Sequence, residues 1–577
     1  MSQNNYWERL RRGRLTRRSF LAAASSAGVG AAGLALIGCG GDDDDDDDEA
    51  AADVAADVAD EQEEPTVAET PAPMRPVTGG TLMEGYDRGS ERMDPITALW
   101  WDGASFPAVH ESLFTLDADG NNIPLVASGW EISDDGLTWT FSIREGLSFH
   151  TGKPINAQTL ADSLNWTNNP DGGGFVHLFW GPVESINAAG DNTVVIKMKH
   201  PFIGFFPVAN NGYATIFDSE FWEERGPDYG TIGGDAGSGP FTLSEYLPGS
   251  HLEVARWADY PGSALPFHEN PGPAYLDAIR WVDLKEPATR AAELEAGNID
   301  ALHGPAFSDI ERLKNDGDFN VIENVTWGHY FMGLNHSREN LGFNDVRVRQ
   351  AVSHAIDRQA IVNAVFFGFG EPAYSFVPTA DLNYDAGTVD FGRFDPQMAA
   401  QLLDAAGWSG DGTRTSDGRS MSFTIETETA AEEVQIAQAI QEFLRDVGVD
   451  MNFTPTDAVF GDLIGGDIDG YMFNNLWHDM IDGTFFWAKA EFIGGCCNGS
   501  NADIAEVNQG YDEWVQSATL EQRAAASRKI QLAAAEQIPF YTIATPANVW
   551  VHHNRVHGWD PFQPNLYPFY QDVWLEA

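Results

Sequence analysis

Cysteine is nearly absent. Cys39, Cys496 and Cys497 are all that a chain of 577 residues carries, which excludes a disulfide framework and a four-cysteine zinc site. Positive charge is scarce as well: 33 Lys and Arg stand against 87 Asp and Glu, a formal net charge of −54, so nucleic acid and anionic membrane surfaces are poor partners. Beyond the first forty residues no apolar run reaches the roughly 18–20 residues that a membrane-spanning helix needs. Nor does the chain contain a GxSxG, an HExxH or a phosphate-binding loop, so the common hydrolase, metalloprotease and nucleotide chemistries have no motif to rest on.

What is present describes a globular body on an unusual leader. The length suffices for two or three cores, since single domains stop growing near about 250–300 residues. A hydrophobic fraction of 43% supports those cores, and the 18 Trp and 35 Phe suggest aromatic surfaces in addition. Fifteen of the acidic residues lie between Asp42 and Glu69, so the body is itself acidic. Such self-repulsion predicts a melting temperature that rises with salt.

The stretch RLTRRSFLAAASSAGVGAAGLALIGCG passes from basic residues into an apolar, Ala- and Gly-rich run, the pattern of a signal peptide over 1–38. Its Thr16–Leu21 (TRRSFL) resembles a twin-arginine signal, with Arg17 and Arg18 as the pair read by an export system for folded proteins. Leu36-Ile37-Gly38-Cys39 resembles the lipobox of bacterial lipoproteins, which implies cleavage before Cys39 and its lipidation. Residues 39–77 then hold Asp, Glu, Ala, Pro and Thr with almost no large apolar side chain, a disordered acidic linker that spans roughly 35 Å as a random coil. The seven aspartates after Gly41 lack the glycine turn and alternating ligand positions of a calcium loop.

In the body, TWTFSI sets Trp139, Phe141 and Ile143 on one face and Thr138, Thr140 and Ser142 on the other, the period of a half-buried strand. Thr81–Tyr86, residues 193–198 and residues 252–257 read the same way. Helical spacing takes over later. FNDVRVRQAVSHAIDR follows an Asn344 or Asp345 cap, and DPQMAAQLLDAAGW has Asp395 as cap, Pro396 in the first turn, an apolar face of Met398, Leu402, Leu403 and Ala406, and Gly407 as stop. EEVQIAQAIQEFLRDVGV forms a third helix ending at Gly448. These alternations predict an α/β architecture of at least two lobes.

Several long blocks resemble, in order, the extracytoplasmic solute-binding proteins of ABC importers, family 5, the peptide, nickel and opine group. They are residues 79–95 (GGTLMEGYDRGSERMDP), 110–159, 237–246 (GSGPFTLSEY), 292–302 (AELEAGNIDAL), 333–362 and the closing DVWLEA. The resemblance implies a two-lobed, periplasmic-binding-protein-like type II fold with an extra subdomain on lobe I. Lobe I is expected over 78–287, with the subdomain at about 113–200, lobe II over 288–539, and a return to lobe I over 540–577. It implies a monomer that captures a small solute by hinge closure and delivers it to permease and ATPase subunits, held at the membrane by the lipid on Cys39. No cofactor is implied. An oligopeptide leads as ligand, with oligosaccharides and nickel chelates as alternatives; an anchored glycosidase accounts only for the Asp and Trp richness.

In peptide-binding relatives an aspartate shortly after a tryptophan of lobe II pairs with the ligand's amino group. Here the comparable stretch is NNLWHDMIDGTFFW, where Asp479 and Asp482 flank the expected position, which Met480 occupies. Either acid is a candidate anchor, and turn-capping is the alternative. Trp477, Phe485, Phe486 and Trp487 are candidates for the pocket wall, as are Trp100 and Trp101, because adjacent aromatics cannot all face inward on one strand. The resemblance adds Tyr86, His329, Tyr330 and Asn335, where the family's strands run toward the cleft. Cys496 and Cys497 admit either a vicinal disulfide or two free thiols. HHNRVH (552–557) lacks the acidic partners of a metal site, and GFGEPA (368–373) reads as a loop.

Overall fold

The structure is a computed structural model that describes residues 75–86, 93–95, 105–172, 176–209, 212–226, 236–325, 328–381, 383–466, 468–475, 488–490, 493, 497–561 and 568–576. Among the described residues twelve strands join in one large sheet. Its order is Asp450–Pro455, Ser422–Thr427, Gly470–Asn475, His329–Leu334, Tyr541–His553, Ala301–His303, Thr81–Tyr86, Ala278–Asp283, His251–Arg256 and Phe241–Leu247. Phe319–Val325 and Gly370–Pro372 also pair with the long strand Tyr541–His553.

That long strand belongs to both lobes. Its first residues pair with the second lobe (Met332 with Tyr541, Tyr330 with Ala544), and its last residues pair with the first (His303 with Trp550, Ala301 with His552). Between them stands Pro546, which has no backbone donor; opposite it is Gly370 at φ +148, where an added Cβ would lie 2.7 Å from the Thr545 carbonyl oxygen. The neighbouring passage from Val325, paired with Ala547, to His329 is the second crossing.

The strands and helix that follow residue 287 remain with the first half of the sheet. Pro287–Glu295 covers it, and Leu294, Leu302, Ile310, Leu313, Val549 and Val551 form one buried cluster. The chain therefore leaves this half after Val325, two helices and two strands beyond the expected division at 288, because Ala301–His303 hydrogen-bonds to Thr81–Tyr86.

Around the expected position of the subdomain, Ala127–Ile132, Thr138–Ile143, Thr193–Met198 and Val183–Ala188 form a separate four-stranded antiparallel sheet. Trp139, Phe141 and Ile143 are buried as their alternation predicts. The helix Ala157–Thr167 packs on it behind a reciprocal cap between Asn156 and Thr159. Away from the shared strand, Ile203 N donates to Ser517 O at 2.8 Å, a direct bond between the first lobe and the second-lobe turn that precedes helix Leu520–Gln537.

The second lobe packs Val346–Ala355, Arg358–Val365, Pro396–Ala405 and Ala431–Asp446 around its strands. Asp345 and Asp395 cap as expected, accepting from Arg347 N and Met398 N. The apolar stripe of Pro396–Ala405 is rotated from expectation: Ala399 and Leu403 are buried and Met398 is exposed. GFGEPA contains a short strand, Gly370–Pro372, because the long strand offers it an edge. Among the described residues no helix is long and apolar enough to cross a membrane.

Candidate functional site

In parallel α/β sheets ligands gather at the carboxyl ends of the strands. The first lobe's parallel strands Thr81–Tyr86, Ala278–Asp283 and Ala301–His303 end together, with Tyr86 paired to Asp283. In the second lobe Ser422–Thr427 and Asp450–Pro455 run parallel and end together, Gly470–Asn475 runs parallel to them and continues three residues past Thr427, and the antiparallel His329–Leu334 starts at its end, His329 opposite Asn475. The long strand links the two sets: the first reaches it at Trp550, and the second, through His329–Leu334, at Ala544.

The first edge is aromatic. Tyr86 stacks on His303 with centroids 5.8 Å apart, His303 lies 4.2 Å from the Trp550 ring, and Trp559 meets Trp550 edge-on at 5.4 Å. Asn548 sits 2.6 Å from His303 Nε2 and fixes that ring. Glu84, two residues before Tyr86 and thus on the same face, has a fully buried carboxyl. Its Oε2 accepts from Tyr570 Oη at 2.8 Å, and Trp281 Nε1 donates to the same hydroxyl at 3.2 Å. Burial pushes the Glu84 carboxyl up to about 8, against the downward pull of the Tyr570 bond, so it is largely neutral at pH 7.

The second edge is acidic. Asn474 Nδ2 donates to Glu428 Oε2 at 2.9 Å and to Glu433 Oε1 at 2.7 Å, clamping two carboxyl groups together beside the buried Thr427. Glu433 sits in the first turn of Ala431–Asp446, is 2% exposed, and is raised above the usual carboxylate range by burial. Its Oε2 has no hydrogen-bond partner among the described residues. His329 is buried and pushed down to about 3, so its ring is neutral. Rings on one edge and carboxyl groups on the other suit a ligand with an apolar part and a cationic part.

Of the predicted residues, Tyr86, His329 and Tyr330 lie at these edges, Tyr330 also packing 5.4 Å from Phe366. Asn335 lies past the far end of its strand, where its amide donates to Gly466 O and Ile468 O and its oxygen accepts from Asn501. Cys39, Trp100, Trp101, Trp477, Asp479, Asp482 and Phe485 fall outside the described residues, as do Phe486 and Trp487. Sequence reasoning missed Glu84, His303, Glu428, Glu433 and Asn474. Asn474 opens the very stretch singled out for its tryptophan and acids, and that neighbourhood was the available signal.

Cys497 is disulfide-bonded. The histidines of HHNRVH are engaged separately: His552 Nδ1 contacts His553 O, His553 Nε2 contacts Leu294 O, and His557 stacks on Trp574. Among the described residues no group of three His, Cys, Asp or Glu is arranged to hold a metal.

Residues 121–490 match the model of the bacterial extracellular solute-binding proteins, family 5. The glutathione-binding protein GsiB of Salmonella typhimurium is 27% identical over 378 residues, 66% of this chain and 68% of that one. The oligopeptide-binding protein AppA of Bacillus subtilis is 27% identical over 338 residues, 55% of this chain and 58% of that one. AppA's structure in complex with a nonapeptide superposes with a TM-score of 0.73 at 22% identity, over 87% of this chain and 100% of that one. NikA from Staphylococcus aureus in complex with Ni(L-His)2 gives a TM-score of 0.70 at 17% identity, over 86% of this chain and 100% of that one.

Proposed function

Since the chain belongs to the bacterial extracellular solute-binding proteins of family 5, we propose that it captures an oligopeptide outside the cytoplasm and hands it to an ABC permease and its ATPase. The observation that carries this reading is an aromatic strand-end edge in one lobe and an acidic one in the other, in lobes joined by one shared strand. A peptide laid between them reaches both lobes only when they are closed, so binding shifts the open and closed populations toward closed. Pro546 and Gly370 mark the hinge, and the bond from Ile203 to Ser517 belongs to the closed form. The peptide's amino group goes to an acid of the second lobe, Glu433 at the described edge or Asp479 or Asp482. Lipid on Cys39 and the acidic linker tether the body near the membrane, where it acts as a monomer that binds without turnover.

Native mass spectrometry of protein purified from its own cells tests the reading, with co-purified peptides as the expected result. A bound nickel chelate or oligosaccharide would redirect it within the family, and release of cleaved products would overturn it. With a bound peptide in hand, calorimetry on Glu433→Gln, Asp479→Asn and Asp482→Asn separates the anchors: the one that holds the amine loses about 10- to 100-fold in affinity.

A further inference from the structure

The second lobe has a small cavity of about 20 Å³, at the start of the long strand, whose polar wall includes Arg358, Ser375, Gln531 and Tyr541. Arg358 is 3% exposed and spends four of its five N–H groups on neutral oxygens. Nε donates to Thr542 O at 2.8 Å, Nη1 to Ser353 O and Gly392 O at 3.0 and 2.9 Å, and Nη2 to Ser353 Oγ at 3.1 Å. One Nη2 hydrogen remains. Arg349, also buried, donates only to carbonyls: Nε and Nη2 to Gln537 O at 2.9 and 2.8 Å, and Nη1 to Phe343 O at 2.8 Å.

No described carboxylate forms an ion pair with either guanidinium, and Asp345, which faces Arg349 most nearly in charge, is paired with Arg347 at 2.6 Å. Tyr541 lies within the field of both arginines, 2% exposed, and its Oη has no hydrogen-bond partner among the described residues. Burial keeps that hydroxyl protonated and therefore a donor. In a chain with 87 acidic residues, two buried cations are met by neutral oxygens and, for Arg358, by the Tyr374 ring 5.2 Å away, with no carboxylate among the described residues to balance their charge.

We infer that this cavity holds a small monovalent anion of the halide class, accepting from Tyr541 Oη and from the remaining Nη2 hydrogen of Arg358. Two donors in a space of about 20 Å³, walled in part by Phe540, Ile538 and Ala534, suit a monatomic anion, whereas a tetrahedral oxyanion is too large for it.

The test compares melting of the full chain in sodium chloride and in sodium gluconate at equal ionic strength, so that general screening cancels. The expected result is a melting temperature about 2–4 °C higher in chloride. In Tyr541→Phe that difference disappears while the response to ionic strength stays. Crystals soaked in bromide should show an anomalous peak within hydrogen-bond reach of Tyr541 Oη. Equal melting in the two salts, a chloride effect that survives Tyr541→Phe, or ordered water in place of the bromide peak would each overturn the inference; the bromide arm decides even if the variant does not fold.

Discussion

Each lobe buries ionisable side chains, and two of them, Glu84 in the first and Arg358 in the second, are accommodated in opposite ways. In the first lobe Glu84 gives up its charge: its carboxyl titrates near 8 and Tyr570 supplies a hydrogen bond. In the second, burial lowers Arg358 only to about 10, so the cation persists at neutral pH and three carbonyls and a hydroxyl gather round it. An acid can escape burial by taking a proton from water that is always at hand. A guanidinium has no such exit, and the backbone must be shaped to receive it.

The contrast breaks first on pH. The folded carboxyl of Glu84 titrates at about 8 and its ordinary value is 4.5, so the folded state keeps a proton that the unfolded chain loses. Its contribution is fully present below about 4.5 and is lost as pH rises through about 8, on the order of 5 kcal/mol across the whole window. Urea unfolding of Glu84→Gln should show a flatter dependence from pH 5 to 9 and greater relative stability at the alkaline end. An unchanged slope would mean that the carboxyl ionises without penalty.

Arg358→Met probes the other side. Removing the cation strands carbonyls built around it, and a loss of about 3–5 kcal/mol is expected, nearly independent of pH below 9. A cost below about 1 kcal/mol would show that the carbonyls find water instead.

At the seam between the two regions, Gly370→Ala introduces a Cβ 2.7 Å from Thr545 O at a φ of +148. We expect about 2 kcal/mol of destabilisation together with weaker ligand-driven closure, read as a smaller change in radius of gyration by small-angle scattering. The smallest effect belongs to Tyr570→Phe, about 1 kcal/mol near pH 6. Because the lost bond holds the carboxyl down, the alkaline limb should move to higher pH, and a shift to lower pH would contradict the assignment.

Much of the fold was legible where one residue's neighbours decide its state. TWTFSI alternates because one face of Thr138–Ile143 is covered and the other is not, and Asp345 and Asp395 cap helices through bonds two and three residues away. The lobe boundary was not legible. Residues 287–325 have the composition of strand and helix units in either lobe, and only the pairing of Ala301–His303 with Thr81–Tyr86 assigns them. Tyr541–His553 is buried along almost all its length, so it shows no alternation that could mark where it passes between lobes. At the site, Tyr86, His329 and Tyr330 came from the family resemblance. Glu433 was hidden in the acidic run ETETAAEE, which reads as a solvated surface until the end of a neighbouring strand places Asn474 against it.

The shared strand also governs the order in which the molecule can be made. During synthesis the strands Thr81–Tyr86, Ala301–His303, Phe319–Val325 and His329–Leu334 all leave the ribosome long before residues 541–553, the strand to which the last three are hydrogen-bonded. Until that segment emerges, both half-sheets carry open, largely apolar edges of the kind that invite mispairing. A nascent chain halted at residue 540 is therefore the state in greatest need of a chaperone, and thirteen more residues settle both lobes at once.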